Sequence, residues 1–80
     1  MPKIFTISAK DFIKFLENNG FIIDRQKGSH IVLKRSSYLK KEVMTVPNHK
    51  EISVGTVKAL YNQAKKYIDI NELDKFFYGK

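Results

Sequence analysis

The chain has 80 residues, a net charge of +7, 42% hydrophobic residues and no cysteine. That length allows one domain with a single small core. The apolar content argues against disorder, and the lack of thiols excludes disulfides and thiolate metal sites. No apolar run approaches the ~18 residues needed to cross a bilayer, and Met1-Pro2-Lys3-Ile4-Phe5 lacks the apolar segment of a secretory signal. The expectation is a soluble cytoplasmic protein with no membrane association.

Residues 1–7 read as a short lead-in. Ser8 followed by Asp11 has the spacing of a capping box, and behind it Ala9, Phe12, Ile13 and Leu16 repeat at i, i+3, i+4 and i+7. This pattern predicts a helix over 8–19, with Gly20 as the left-handed residue that ends it. Phe21 to Gln26 is rich in strand formers, and Ser29 to Arg35 follows across Lys27-Gly28, so the two read as an antiparallel hairpin. Ser36 to Lys41 is a polar connection. Glu42 to Val46 is a third strand, stopped by Pro47, which has no N–H to give a ladder.

Ser53 is a good N-cap for a second helix in which Val57, Leu60, Tyr61 and Ala64 form the apolar stripe. Lys65 and Lys66 then fall in its last turn, where they complement the dipole. Gly55 reads as a point of close helix–sheet approach. Asn71, with Asp74 three residues on, is placed to cap a short last helix carrying Leu73, Phe76 and Phe77. The fold class is α+β: α-β-β-β-α with a three-stranded antiparallel sheet, helices on one face and a short C-terminal helix, as one domain over 1–80.

The charge is concentrated. Between residues 25 and 50, Arg25, Lys27, Lys34, Arg35, Lys40, Lys41 and Lys50 face only Glu42, which accounts for +6 of the chain's +7. Such a cluster is the footprint of a polyanion, either nucleic acid or an acidic protein. His30 lies inside it. Gly28 admits φ > 0 and so allows the tight turn, with Ser29, that starts the His30 strand. Alternation then puts Ile31, Leu33 and Arg35 on one face and His30, Val32 and Lys34 on the other.

An imidazole beside fixed positive charge suits a phosphodiester. RNA carries its own nucleophile, so a single His can take the 2′-hydroxyl proton while a cation meets the developing charge. Lys27, Lys34 and Arg35 are the candidate cations, with Lys34 first by parity. The acidic residues are scattered, with no ligand-spaced cluster around His30 or His49, so neither a metal nor another cofactor is expected. His49 sits in a polar loop, and position alone favours a structural or hydrogen-bonding role for it.

Lys27-Gly28-Ser29-His30, the strand ending Val46-Pro47 with His49 two beyond, and Gly55-Thr56-Val57 leading to Asn62-Gln63-Ala64 together resemble the HicA family of small toxins. The resemblance runs in order over nearly the whole chain. It implies a double-stranded-RNA-binding-like fold and an mRNA interferase, the toxin of a type II toxin–antitoxin pair. It also implies a HicB-like antitoxin partner and a catalytic His at position 30. The local basicity adds the expectation that this partner is acidic and covers His30. Three features depart from the family pattern: Ile31 stands where a second His is common, Val54 replaces a common Pro, and the connection around Tyr38 to Lys41 is longer and more basic. The second reading is a non-catalytic RNA-binding module using the basic surface of residues 25–50. A third is a basic adaptor for an acidic protein.

Overall fold

The computed structural model describes residues 7–36 and 40–78. The lead-in before Ile7 and the Ser37-Tyr38-Leu39 part of the basic connection lie outside the described residues. The order is α1 (Ala9–Asn18), β1 (Ile22–Lys27), β2 (His30–Ser36), β3 (Lys41–Pro47), α2 (Val54–Ala64) and α3 (Ile70–Tyr78). The α-β-β-β-α order and the short last helix are therefore as expected. Among the described residues, no helix is long and apolar enough to cross a membrane.

α1 starts where its sequence pattern puts it. Ser8 is extended, and its Oγ accepts the Asp11 N–H at 3.1 Å. Gly20, at φ 93°, turns the chain out of the helix, and a side chain there would also press to 3.3 Å from Cδ of Arg35. β1, β2 and β3 form one antiparallel sheet in that order, which makes β2 the central strand. The β1–β2 hairpin pairs Lys27 with His30 across Gly28-Ser29. Gly28 has φ 61° and Ser29 does not have a positive φ, which is the pattern of a type II′ turn.

Alternation along the sheet builds the core. Ile31 and Leu33 of β2 and Met44 and Val46 of β3 point to one face. They meet Phe12 and Leu16 of α1, Val57, Leu60 and Ala64 of α2, and Leu73 and Phe77 of α3. Each of the Val, Leu, Ile, Met and Phe side chains among them contributes about 1.5–3 kcal/mol when fully buried. A one-residue slip of β2 would turn the whole set to solvent, so the register is strongly specified. α3 adds an aromatic seam to this core. Phe76 stacks on Phe15 at 4.4 Å between ring centroids, and Phe77 lies 5.7 Å from Phe12.

Four local expectations are corrected by the structure. Pro47 is the last residue of β3 and does not stop the strand short. The next ladder bond runs from Asn48 N–H to the Ser29 carbonyl at 2.6 Å, so His30 and Pro47 form a non-hydrogen-bonded pair. The missing proline N–H is not needed at that position. α2 ends at Ala64, which leaves Lys65 as its C-cap and Lys66 beyond it, so neither lies in the last turn. A Cβ on Gly55 would meet nothing within 4 Å, so no close approach explains that glycine. α3 is capped by Asp69, whose Oδ2 accepts the Asn71 N–H at 3.2 Å. Asp74 instead accepts from the Tyr61 hydroxyl at 2.6 Å and ties α3 to α2.

Candidate active site and nucleic-acid interface

His30 opens the central strand and is exposed, on the face of the sheet opposite Ile31 and Leu33. Two neighbours in the ladder flank it, Lys27 on β1 and Pro47 on β3. The turn before it is held from both sides. Gln26 Nε2 donates to the Gly28 carbonyl at 3.2 Å, and Asn48 N–H donates to the Ser29 carbonyl. Gly28 and Ser29 therefore place His30 through backbone geometry. Gly28 is needed for its φ, because open space surrounds the position of a Cβ.

The same parity distributes the basic residues. Lys27, Arg25 and Lys34 share the open face with His30, and so does Lys41, which pairs with Ser36 at the far end of the sheet. Lys27 is directly across from His30. Lys34 lies four residues along the strand, about 13 Å away. Arg35 is on the other face. Its Nε is 2.6 Å from Oε1 of Glu42, and Nη1 and Nη2 donate to the carbonyls of Asn19 and Tyr67. Its guanidinium also lies 4.8 Å from the centroid of the Phe21 ring. Arg35 is thus engaged in joining the sheet to the helical layer. Lys40 is exposed and precedes β3.

One residue on this face was missed by counting charges from residue 25 onward. β1 carries a bulge between Ile23 and Arg25, which makes Asp24 the extra residue. Its Oδ2 lies 3.0 Å from Nη1 of Arg25 and 3.4 Å from Nζ of Lys34. Asp24 therefore screens two of the face's cations, while Lys27 stands beside His30 clear of that carboxylate. A bulge leaves no mark in the alternation pattern strong enough to be read in a six-residue strand. The apolar Ile22 and Val43 also reach the open face, beside Lys34, and Ile22 is 72% exposed.

A cleft of about 430 Å³ is lined by Gly20, Ile22, Ile23, Asp24, Lys34, Arg35 and Ser36. It lies at the opposite end of β2 from His30. His30 itself stands on an open corner of the sheet, which suits an extended polymer better than an enclosed small molecule. An imidazole and an ammonium on adjacent strands, both reachable, form a minimal set for moving a proton beside a phosphate.

His49 stands in the loop that closes this corner. Its N–H donates to the Pro47 carbonyl at 2.9 Å, and its own carbonyl accepts the Ala9 N–H at 3.0 Å. The loop is thereby pinned to the first turn of α1, while the His49 side chain is exposed.

Comparison with known proteins places this geometry in context. A family model described as the HicA toxin of bacterial toxin–antitoxin systems matches residues 9–66, which runs from the start of α1 to just past α2. Searches of curated proteins and of solved structures return no match.

Proposed function

The chain belongs to the HicA toxin family, and from that premise we propose that it is the mRNA interferase of its toxin–antitoxin pair, an endoribonuclease with His30 as its general base. The observation that carries this reading is the exposed His30 at the tip of the central strand, with Lys27 paired across from it. His30 takes the proton of an RNA 2′-hydroxyl. The 2′-oxygen attacks the adjacent phosphorus and the bond to the 5′-oxygen breaks, leaving a 2′,3′-cyclic phosphate and a 5′-hydroxyl. Lys27 is nearest to the charge that builds on the phosphoryl oxygens. Arg25, Lys34 and Lys41 extend the cationic track along the sheet face and hold the flanking backbone. This chemistry needs no metal ion.

Family membership implies a cognate antitoxin. In this reading the antitoxin is acidic and inhibits by covering the face that bears His30, because that is where the unscreened positive charge is exposed.

The test is cleavage of a labelled mRNA, with the product ends analysed and binding measured in parallel. His30→Ala should keep fold and RNA affinity and lose about 10²–10⁴ in rate. If wild type cuts RNA and purified His30→Ala cuts it equally fast, the assignment fails. If neither cuts and both bind, the non-catalytic RNA-binding module takes its place. Activity lost to a chelator and restored by magnesium would contradict the metal-free mechanism.

A further inference from the structure

Base removal at the 2′-hydroxyl is half of the reaction. The 5′-oxygen leaves as an alkoxide unless a second group gives it a proton, and His30 cannot hold and donate that proton at both oxygens in one step. We propose that His49 is that second group, the general acid. This assignment rests on reading His30 as the base.

The argument is one of placement. His30 and Pro47 are directly paired at a non-hydrogen-bonded site, where facing Cα atoms lie about 4.5 Å apart and side chains are closest. His49 follows two residues later, after a turn in which its N–H returns to the Pro47 carbonyl. With 3.8 Å between successive Cα atoms, the Cα atoms of the two histidines are no more than about 12 Å apart. Two imidazoles at that spacing can face a phosphate from either side, each one hydrogen bond from its oxygen.

Three backbone bonds hold the loop in place. Asn48 N–H to the Ser29 carbonyl ties it to the turn before His30, His49 N–H to the Pro47 carbonyl shapes it, and Ala9 N–H to the His49 carbonyl anchors it to α1. None of them uses the His49 side chain, which is exposed. The backbone of His49 is thus held at the corner that bears His30, and its imidazole has no structural duty in those bonds. Lys27, the other group next to His30, keeps the electrostatic role, because an ammonium is a fixed charge near neutrality and an imidazole can release its proton there.

The proton account balances. The 2′-hydroxyl proton passes to Nε2 or Nδ1 of neutral His30, and the 2′-oxygen forms its bond to phosphorus. The P–O5′ electron pair leaves with the 5′-oxygen, which takes a proton from the protonated imidazole of His49. Water then exchanges the two protonation states back.

The experiment compares two RNA oligonucleotides that differ at one linkage, the natural 5′-oxygen in one and a 5′-bridging sulfur in the other. A thiolate leaves without protonation. His49→Ala and His49→Gln should therefore lose about 10²–10⁴ on the oxygen substrate and stay within about tenfold of wild type on the sulfur substrate. His30→Ala should be slow on both. A merely structural role would slow His49→Ala alike on both substrates, and that result overturns the proposal, as does wild-type speed on the oxygen substrate. If wild type cuts neither substrate, the ribonuclease reading falls and the acid falls with it.

Discussion

Arg35 on β2 and Glu42 on β3 face each other in register, with Nε 2.6 Å from Oε1, on the core side of the sheet. Glu42 is only 7% exposed and is the one buried charged residue among those described. Nη1 and Nη2 of Arg35 donate to the Asn19 and Tyr67 carbonyls, so one guanidinium joins β3, the end of α1 and the segment between α2 and α3. A carboxylate left there without its partner is expensive. Arg35→Met should therefore destabilise the fold by about 3 kcal/mol, measured as a lower denaturant midpoint. Any loss of RNA binding should follow the loss of folded protein. An unchanged midpoint with weakened binding would instead return Arg35 to the RNA-contacting set.

Salt should weaken RNA binding steeply. With about four phosphates met on a single strand, the log–log slope is expected near −3, at about −0.7 per contact. An uncleavable RNA titrated across a salt series gives this directly, and a flat response would favour the adaptor for an acidic protein.

Asp24 gives that series a control. It lies within ion-pair distance of Arg25 and Lys34. Asp24→Asn should free both for phosphate, raise affinity a few-fold (an exposed pair is worth at most about 1 kcal/mol) and steepen the slope. Weaker binding in this variant would mean that the two pairs hold the cations in position for RNA.

Tyr61 should hold its phenolic proton well above the ordinary tyrosine range. Its hydroxyl donates to Asp74 at 2.6 Å, and this hydrogen bond, with burial and the carboxylate's charge, pushes its pKa up to about 12 from 10.0. A folded-state value raised above the unfolded one means that the native state holds the proton more tightly. The stabilisation is complete below pH 10 and is lost as pH rises through about 12. Tyrosinate absorbance should include a step near pH 12, and Asp74→Asn should move that step down.

Gly28→Ala isolates the turn. A Cβ there meets nothing within 4 Å, so the cost is the positive-φ backbone alone, about 1–3 kcal/mol. Cleavage should fall further than stability does, since the turn sets where His30 begins. Activity equal to wild type in the folded variant would show that the His30 position tolerates the strain.

The elements were legible because each carries its own local signal. Ser8 and Ser53 have the side chains that cap helices, Gly20 and Gly28 can take φ values that other residues resist, and the apolar residues repeat at periods that only helices or strands place on one face. Those periods also put His30 and Arg35 on opposite faces of β2, and the motif order carried the family. The register across strands is not local, and it decided the rest. It set Lys27 beside His30, a place that Lys34, four residues along the same strand, does not reach. The bulge brought Asp24 against two of the cations, and the Arg35 guanidinium closed on Glu42 and two carbonyls from distant parts of the chain. Pro47 came opposite His30, which carried the His49 loop to the same corner. Charge counting cannot make these distinctions, because a cation's availability depends on which face it occupies and which carboxylate the fold brings to it.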